Sequence, residues 1–294
     1  MDGSLLDAAL EPFRHGFMIR AMLVGAFVCA VCAVLSCFVV LKGWSLVGDA
    51  VSHAVLPGIV LAYLAGLPLA LGAVASGVAC ILGAGVVSAH SRLKRDTVLG
   101  IAFTGFVAIG LLLMTANPGD VHFMHVLFGN LLGIQPVDLV QALAVGTATL
   151  VVVGAMRRDF ILFCFDPGQA QAIGLSPRRL ELLLLLLVSL TVVAALQAVG
   201  IVLALAMLIT PGCVGLLMAR RFGRVVVAAV ASALASAILG TLASFYLDGA
   251  TGPCIVLVQS LLFGLALLFS PRAGLLHEPK PVEPPAPLDR PHAA

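Results

Sequence analysis

The chain has 294 residues, of which 61% are hydrophobic and only 10% charged, with a mean hydropathy of +1.16. Soluble domains average roughly 45–50% apolar and about 25% charged residues, so a water-soluble globule is excluded. Sixteen Lys and Arg against fourteen Asp and Glu leave a net charge of +2, which argues for neither a nucleic-acid surface nor an acidic tail.

A bilayer-crossing helix needs about 20 residues with few or no charges, so the spans can be read from one charge to the next. Residues 1–16 carry Asp2, Asp7 and Glu11 and have no apolar core, which is not the pattern of a signal peptide. The first span, 17–41, is therefore expected to stay in the mature protein. The interval Asp49 to Arg92 is long enough for two spans, 50–66 and 69–89, turning at Gly66-Leu67-Pro68. Next come 98–115 and 139–156. The interval Glu181 to Arg220 again holds two, 181–198 and 201–219, parted near Val199-Gly200, and 225–247 and 254–270 complete the series. This predicts an all-α polytopic membrane protein of about 8 to 9 transmembrane helices, the lower count applying if the first or the 139–156 stretch is interfacial. From residue 272 onward the chain is expected to be a disordered tail, since His277 to Ala294 contains six prolines in eighteen residues and cannot bury a core.

Cytoplasmic loops are enriched in Lys and Arg. Arg92, Lys94 and Arg95 form one cluster, Arg157, Arg158, Arg178 and Arg179 a second, and Arg220, Arg221 and Arg224 a third. Alternating spans put all three on one side, making that side, and the C-terminus with it, cytoplasmic. Asn117 to Asp138 and Asp248 to Pro253 contain no Lys or Arg and fall on the other side. Nine spans then place the N-terminus outside, against the mild opposite vote of Arg14 and Arg20.

Ionisable groups within the membrane are costly, and a functional role is their default reading. In Gly48-Asp49-Ala50-Val51-Ser52-His53-Ala54-Val55-Leu56-Pro57-Gly58, Asp49 and His53 are four apart and share one helix face. A carboxylate and an imidazole so placed can hold Mn(II), Fe(II) or Zn(II) better than Mg(II) or Cu(I); equally, they can bond each other as a buried structural pair. Pro57 cannot donate to the His53 carbonyl and crowds it, and transporters place such broken helices at their binding sites. His122 and His125, three apart in the loop placed outside, are either solvated or a point of metal entry. Seven cysteines, at 29, 32, 37, 80, 164, 213 and 254, sit mostly in apolar runs at irregular spacing, as core residues do.

Phe165 to Pro177 reads as a short helix, with Asp166 as N-cap, Pro167 at its first position, Ala170 among its small residues and Gly174 as its left-handed end. Between two spans on the basic side it is either an ordinary loop helix or one that docks in another protein's groove. There is no G-x-x-x-x-G-K-[ST] loop and no H-E-x-x-H. Asp49 stands without the second carboxylate that an aspartyl protease needs. Enzyme readings are therefore poor.

Trp44 to Gly58 closely resembles the signature of the membrane permeases of the zinc/manganese/iron family of bacterial ABC importers. Further matches are Asp96-Thr97-Val98-Leu99-Gly100-Ile101, His125 to Gly133, Phe165-Asp166-Pro167, Leu208-Ile209-Thr210-Pro211-Gly212 and Asp248 to Pro253. The resemblance covers about residues 11 to 271 and is strongest to the chelated iron or manganese branch, the Yfe and Sit type. It implies a permease domain over 17–271 with a bundle like that of vitamin B12 permeases and broken pore helices, at Pro57 and Pro211, in the bacterial inner membrane. It further implies a separate ATPase dimer, a periplasmic or lipid-anchored metal-binding protein and a second permease copy, identical or related. By position, Asp49 and His53 match the metal-coordinating pair, and Asp166 to Gly174 match the segment seated in the ATPase cleft. No resident cofactor is implied: Mn(II) or Fe(II), with Zn(II) as the alternative, is cargo.

Overall fold

The computed structural model describes residues 16–93, 95–116, 134 and 136–270, and the regular structure among them is helical throughout. The helices are α1 (Gly16–Leu41), α2 (Val47–Leu64), α3 (Leu69–His90), α4 (Arg95–Ala116), α5 (Pro136–Ala155), α6 (Arg157–Phe165), α7 (Pro167–Ala172), α8 (Pro177–Val199), α9 (Ile201–Met218), α10 (Phe222–Leu247) and α11 (Thr251–Phe269). All but α6 and α7 are long and apolar enough to cross a bilayer, so the described residues contain nine such helices. The loop carrying His122 and His125, and the chain from 271 onward, lie outside the described residues.

Four of the turns between spans use a residue tolerant of left-handed backbone. Gly43 (φ 66°) and Gly66 (φ 66°) bracket α2, Gly200 (φ 87°) separates α8 from α9, and Asp248 (φ 49°) ends α10. Such φ values carry no Cβ penalty for glycine, and Asp is among the few other residues that visit them. After Gly43 the Trp44 amide donates back to the Val39 carbonyl at 3.0 Å and the indole is buried. This folds the chain into the protein at once, and α2 begins at Val47, earlier than the residue-50 start read from charge spacing. Asp49 therefore lies inside the helix, in its first turn.

Two apolar clusters form the core. One joins α2, α3 and α8 with the ends of α1, α4, α5 and α6; the other joins α1, α9 and α10 with residues of α8 and α11. α2 lies against α3 and α4, while α1 lies against α9 and α10. Where α2 crosses α3 the backbones nearly touch: a Cβ on Gly58 would meet the Gly72 carbonyl, and one on Gly72 the Gly58 carbonyl. Small residues permit this approach, which apolar helices in lipid use to gain close contact.

Phe38, near the end of α1, meets Phe160 of α6 with ring centroids 5.9 Å apart and Phe222 of α10 at 5.0 Å. This brings together the end of the bundle at which α8 and α10 start and α3, α5 and α9 finish. The described arginines of all three basic clusters sit at these helix ends. It is called the basic end below.

Candidate metal site and transport path

Asp49 and His53 stand one turn apart on α2 and are half-buried, while Val47, Gly48, Ala50, Val51, Ser52 and Ala54 around them are buried. A carboxylate in the first turn of a helix is favoured by the amides and macrodipole of that terminus. Among the described residues no hydrogen bond or ion pair joins the two side chains, so the self-contained structural pair is not realised. The His53 ring instead stacks on Phe103 of α4, centroids 5.6 Å apart and planes inclined by 24°.

Cross-helix neighbours fix the depth of the pair. At the basic end the Ser45 hydroxyl donates to Oδ2 of Asp96, in the first turn of α4, at 2.8 Å. His53 meets Phe103, seven residues or about 10 Å further along α4. Val51 lies beside Gly77 of α3, which in turn faces Ser189 of α8, positions well inside both helices. The pair thus lies within the bundle, beside the middle turns of α3 and α8. Among the described residues no three His, Cys, Asp or Glu side chains converge.

Each proline of the sequence reading lies inside a helix that continues past it, Pro57 in α2 and Pro211 in α9. Each removes one N–H from the ladder, leaving the carbonyls of His53 and Met207 without their usual donors. Next to His53 the Ser76 hydroxyl of α3 donates to the Ala54 carbonyl at 2.5 Å. At Pro211 the supporting group comes from α1. The Ser36 hydroxyl donates to the Ile209 carbonyl at 3.0 Å and accepts the Gly212 amide at 2.9 Å. A Cβ at position 212 would lie 2.6 Å from that oxygen, so only glycine leaves room for the clasp. Ser36 is invisible to pattern reading, because one serine in an apolar helix does not reveal which distant backbone it meets.

The segment after α6 is built as the capping residues require. Asp166 Oδ1 accepts the Gln169 amide at 2.9 Å, Pro167 opens α7, Ala170 is buried, and Gly174 takes φ 87°. Ser176 then caps α8 by accepting the Arg179 amide at 3.4 Å. One functional candidate escaped the sequence reading. Lys42, in the turn leading to α2, donates from Nζ to the Phe163 carbonyl at 3.2 Å, and its ammonium lies 3.8 Å from the centre of the Phe163 ring. That carbonyl belongs to the last turn of α6, where a cation is favoured. Burial pushes the neighbouring Cys164 thiol up to about 11, with the Lys42 charge pulling the other way. The signal in the sequence is that Lys42 closes the first apolar interval, but nothing local shows its partner.

Nine apolar helices among the described residues, an ionisable pair on a proline-containing helix and two short helices at the basic end define a polytopic permease. The model of the ABC 3 transport family matches residues 14–270. The chain belongs to that family, and it is a membrane-spanning subunit of the ATP-binding-cassette transporter type. It is 50% identical over 266 residues to the chelated iron transport system membrane protein YfeD of Yersinia pestis, covering 90% of each chain. It is 48% identical over 267 residues to the manganese transport system membrane protein MntB of Synechocystis sp., covering 91% of this chain and 87% of that one. Among solved structures, PsaBC from Streptococcus pneumoniae in complex with Fab matches with a TM-score of 0.80 at 30% identity, covering 93% of this chain and 98% of that one.

Proposed function

We propose that this permease imports Mn(II), Fe(II) or both across the bacterial inner membrane, and that Asp49 and His53 hold the ion in transit. The observation that carries this reading is the pair itself: a carboxylate and an imidazole one turn apart, half-buried and not bonded to each other. Both ligand types suit these metals, and relatives at 50% and 48% identity bear chelated iron and manganese transport in their names. Two side chains, with water or a transient backbone carbonyl such as that of His53, bind weakly enough to release the ion, which conduction requires.

In this reading ATP is hydrolysed on a partner chain. An ATPase dimer docks on Asp166 to Gly174 through exposed residues such as Asp166 and Pro167, whereas Ala170, expected in that contact, is buried within the permease and packs the short helix onto it. A metal-binding protein delivers cargo from the other side, and a second permease copy completes the pore. The basic end and the C-terminus face the cytoplasm. His122 and His125 remain a candidate entry point on the delivery side.

The test is uptake into proteoliposomes holding the permease, its ATPase and its binding protein, with Mn(II), Fe(II) and Zn(II) supplied singly and in competition. ATP-dependent uptake of Mn(II) or Fe(II) that His53→Ala abolishes is expected. Preferred uptake of Zn(II) would make this a zinc importer, and uptake without ATP would make it a channel or carrier.

A further inference from the structure

A groove outside the proposed path runs along the contact of α3 and α8. Its outer part is a cavity of about 660 Å³ at the basic end, where Arg178, His90 and Glu181 line the mouth and Ile81, Leu182 and Leu185 the walls. Its inner part is a cavity of about 400 Å³ that shares Ile81, Leu182 and Leu185 and is otherwise apolar, with Arg179 at one end and Ser189 at the other. The Ser189 hydroxyl is buried and has no partner among the described residues. From Arg178 to Ser189 the helix rises roughly 16 Å, close to one leaflet of a hydrocarbon core about 30 Å thick.

We propose that this groove is a binding site for an anionic phospholipid of the leaflet at the basic end. The shape is that of a headgroup pocket opening into an acyl slot. Two arginines sit where the phosphate of a bilayer lipid lies, and the slot below them has apolar walls over the depth one acyl chain covers. Glu181 is the acidic group at the mouth, and one carboxylate against two guanidinium groups leaves a net positive charge there. The His90 ring is held at the mouth by its Nδ1–H, which donates to the Val86 carbonyl at 2.9 Å; Nε2 is then an acceptor, and the donors for a phosphate are the two guanidinium groups. Basic pockets between membrane helices are recognised by anionic headgroups in this way. Arg178 and Arg179 open α8 directly after α7, so an occupied groove fixes the start of α8 relative to that short helix. The proposal does not depend on which metal is carried.

The test is native mass spectrometry of the full chain in mild detergent, titrated with phosphatidylglycerol or phosphatidylcholine of identical acyl chains. Phosphatidylglycerol is retained in preference to phosphatidylcholine, and its retention falls about fivefold for Arg178→Gln and about twenty-five-fold for Arg178→Gln with Arg179→Gln. Leu182→Trp, which fills the slot without touching the charges, lowers retention of phosphatidylglycerol as well. Equal retention of the two lipids, or unchanged retention by the double glutamine variant, overturns the proposal. So does disulfide formation between two copies of a Leu182→Cys chain in native membranes, since a second permease would then cover the groove.

Discussion

Asp49 and His53 are informative together because they are half-buried, one turn apart, and not bonded to each other. The carboxylate and the imidazole are thus both left with capacity for a ligand, and a divalent ion would engage both. The spacing made this pair legible in the sequence, because a separation of four on a helix fixes relative direction without tertiary information. Phe103, on which His53 stacks, was not legible, since it arrives from another helix. Ser36 is a second such case. Its clasp on Ile209 and Gly212 holds α9 at Pro211, and Ser36→Ala is expected to cost about 1 kcal/mol. In a thermal unfolding assay that lowers the midpoint by roughly 2–4 °C; an unchanged midpoint would mean that the clasp adds nothing.

Among the elements, α7 and the start of α8 were readable because capping chemistry is local: Asp166, Pro167, Gly174, Ser176 and Pro177 each do what their type does at a helix boundary, whereas α6 carried no such signal and was not legible. The link from this segment to the pore helix was not readable, because it depends on a lysine over a hundred positions away. Lys42 joins the turn before α2 to the last turn of α6 by a charge-assisted hydrogen bond and a cation–π contact, together on the order of 2 kcal/mol. Under the proposed docking of an ATPase on α7, this contact would pass motion of the α6–α7 segment to Lys42, seven residues of chain before Asp49. Lys42→Met is expected to leave ATP hydrolysis by the assembled transporter near wild type while uptake per ATP falls severalfold. If both rates stay unchanged, Lys42 is only a local support.

At the scale of the molecule, charge scarcity located the spans, because the described charges lie in the turns or within the first five residues of a helix. Asp49 is one of the latter, since the turn before it is made by Gly43 and the buried Trp44. The proposed sidedness rests on the same scarcity, through the arginines that gather at the basic end. Alkaline phosphatase fused after Phe269 is expected to be inactive, and inserted in the turn at Gly249 active, because the enzyme folds only outside the cytoplasm. The reverse pattern would invert the orientation.

Metal transit through Asp49 is the centre of the account, and one paired measurement addresses it most directly. Radiolabelled Mn(II) uptake and ATP hydrolysis are followed in the same proteoliposomes for wild type and Asp49→Asn, each assembled with the ATPase and the binding protein. The account predicts that the asparagine variant assembles and hydrolyses ATP but takes up no Mn(II) above the ATP-free background. Uptake at the wild-type rate by that variant would contradict it.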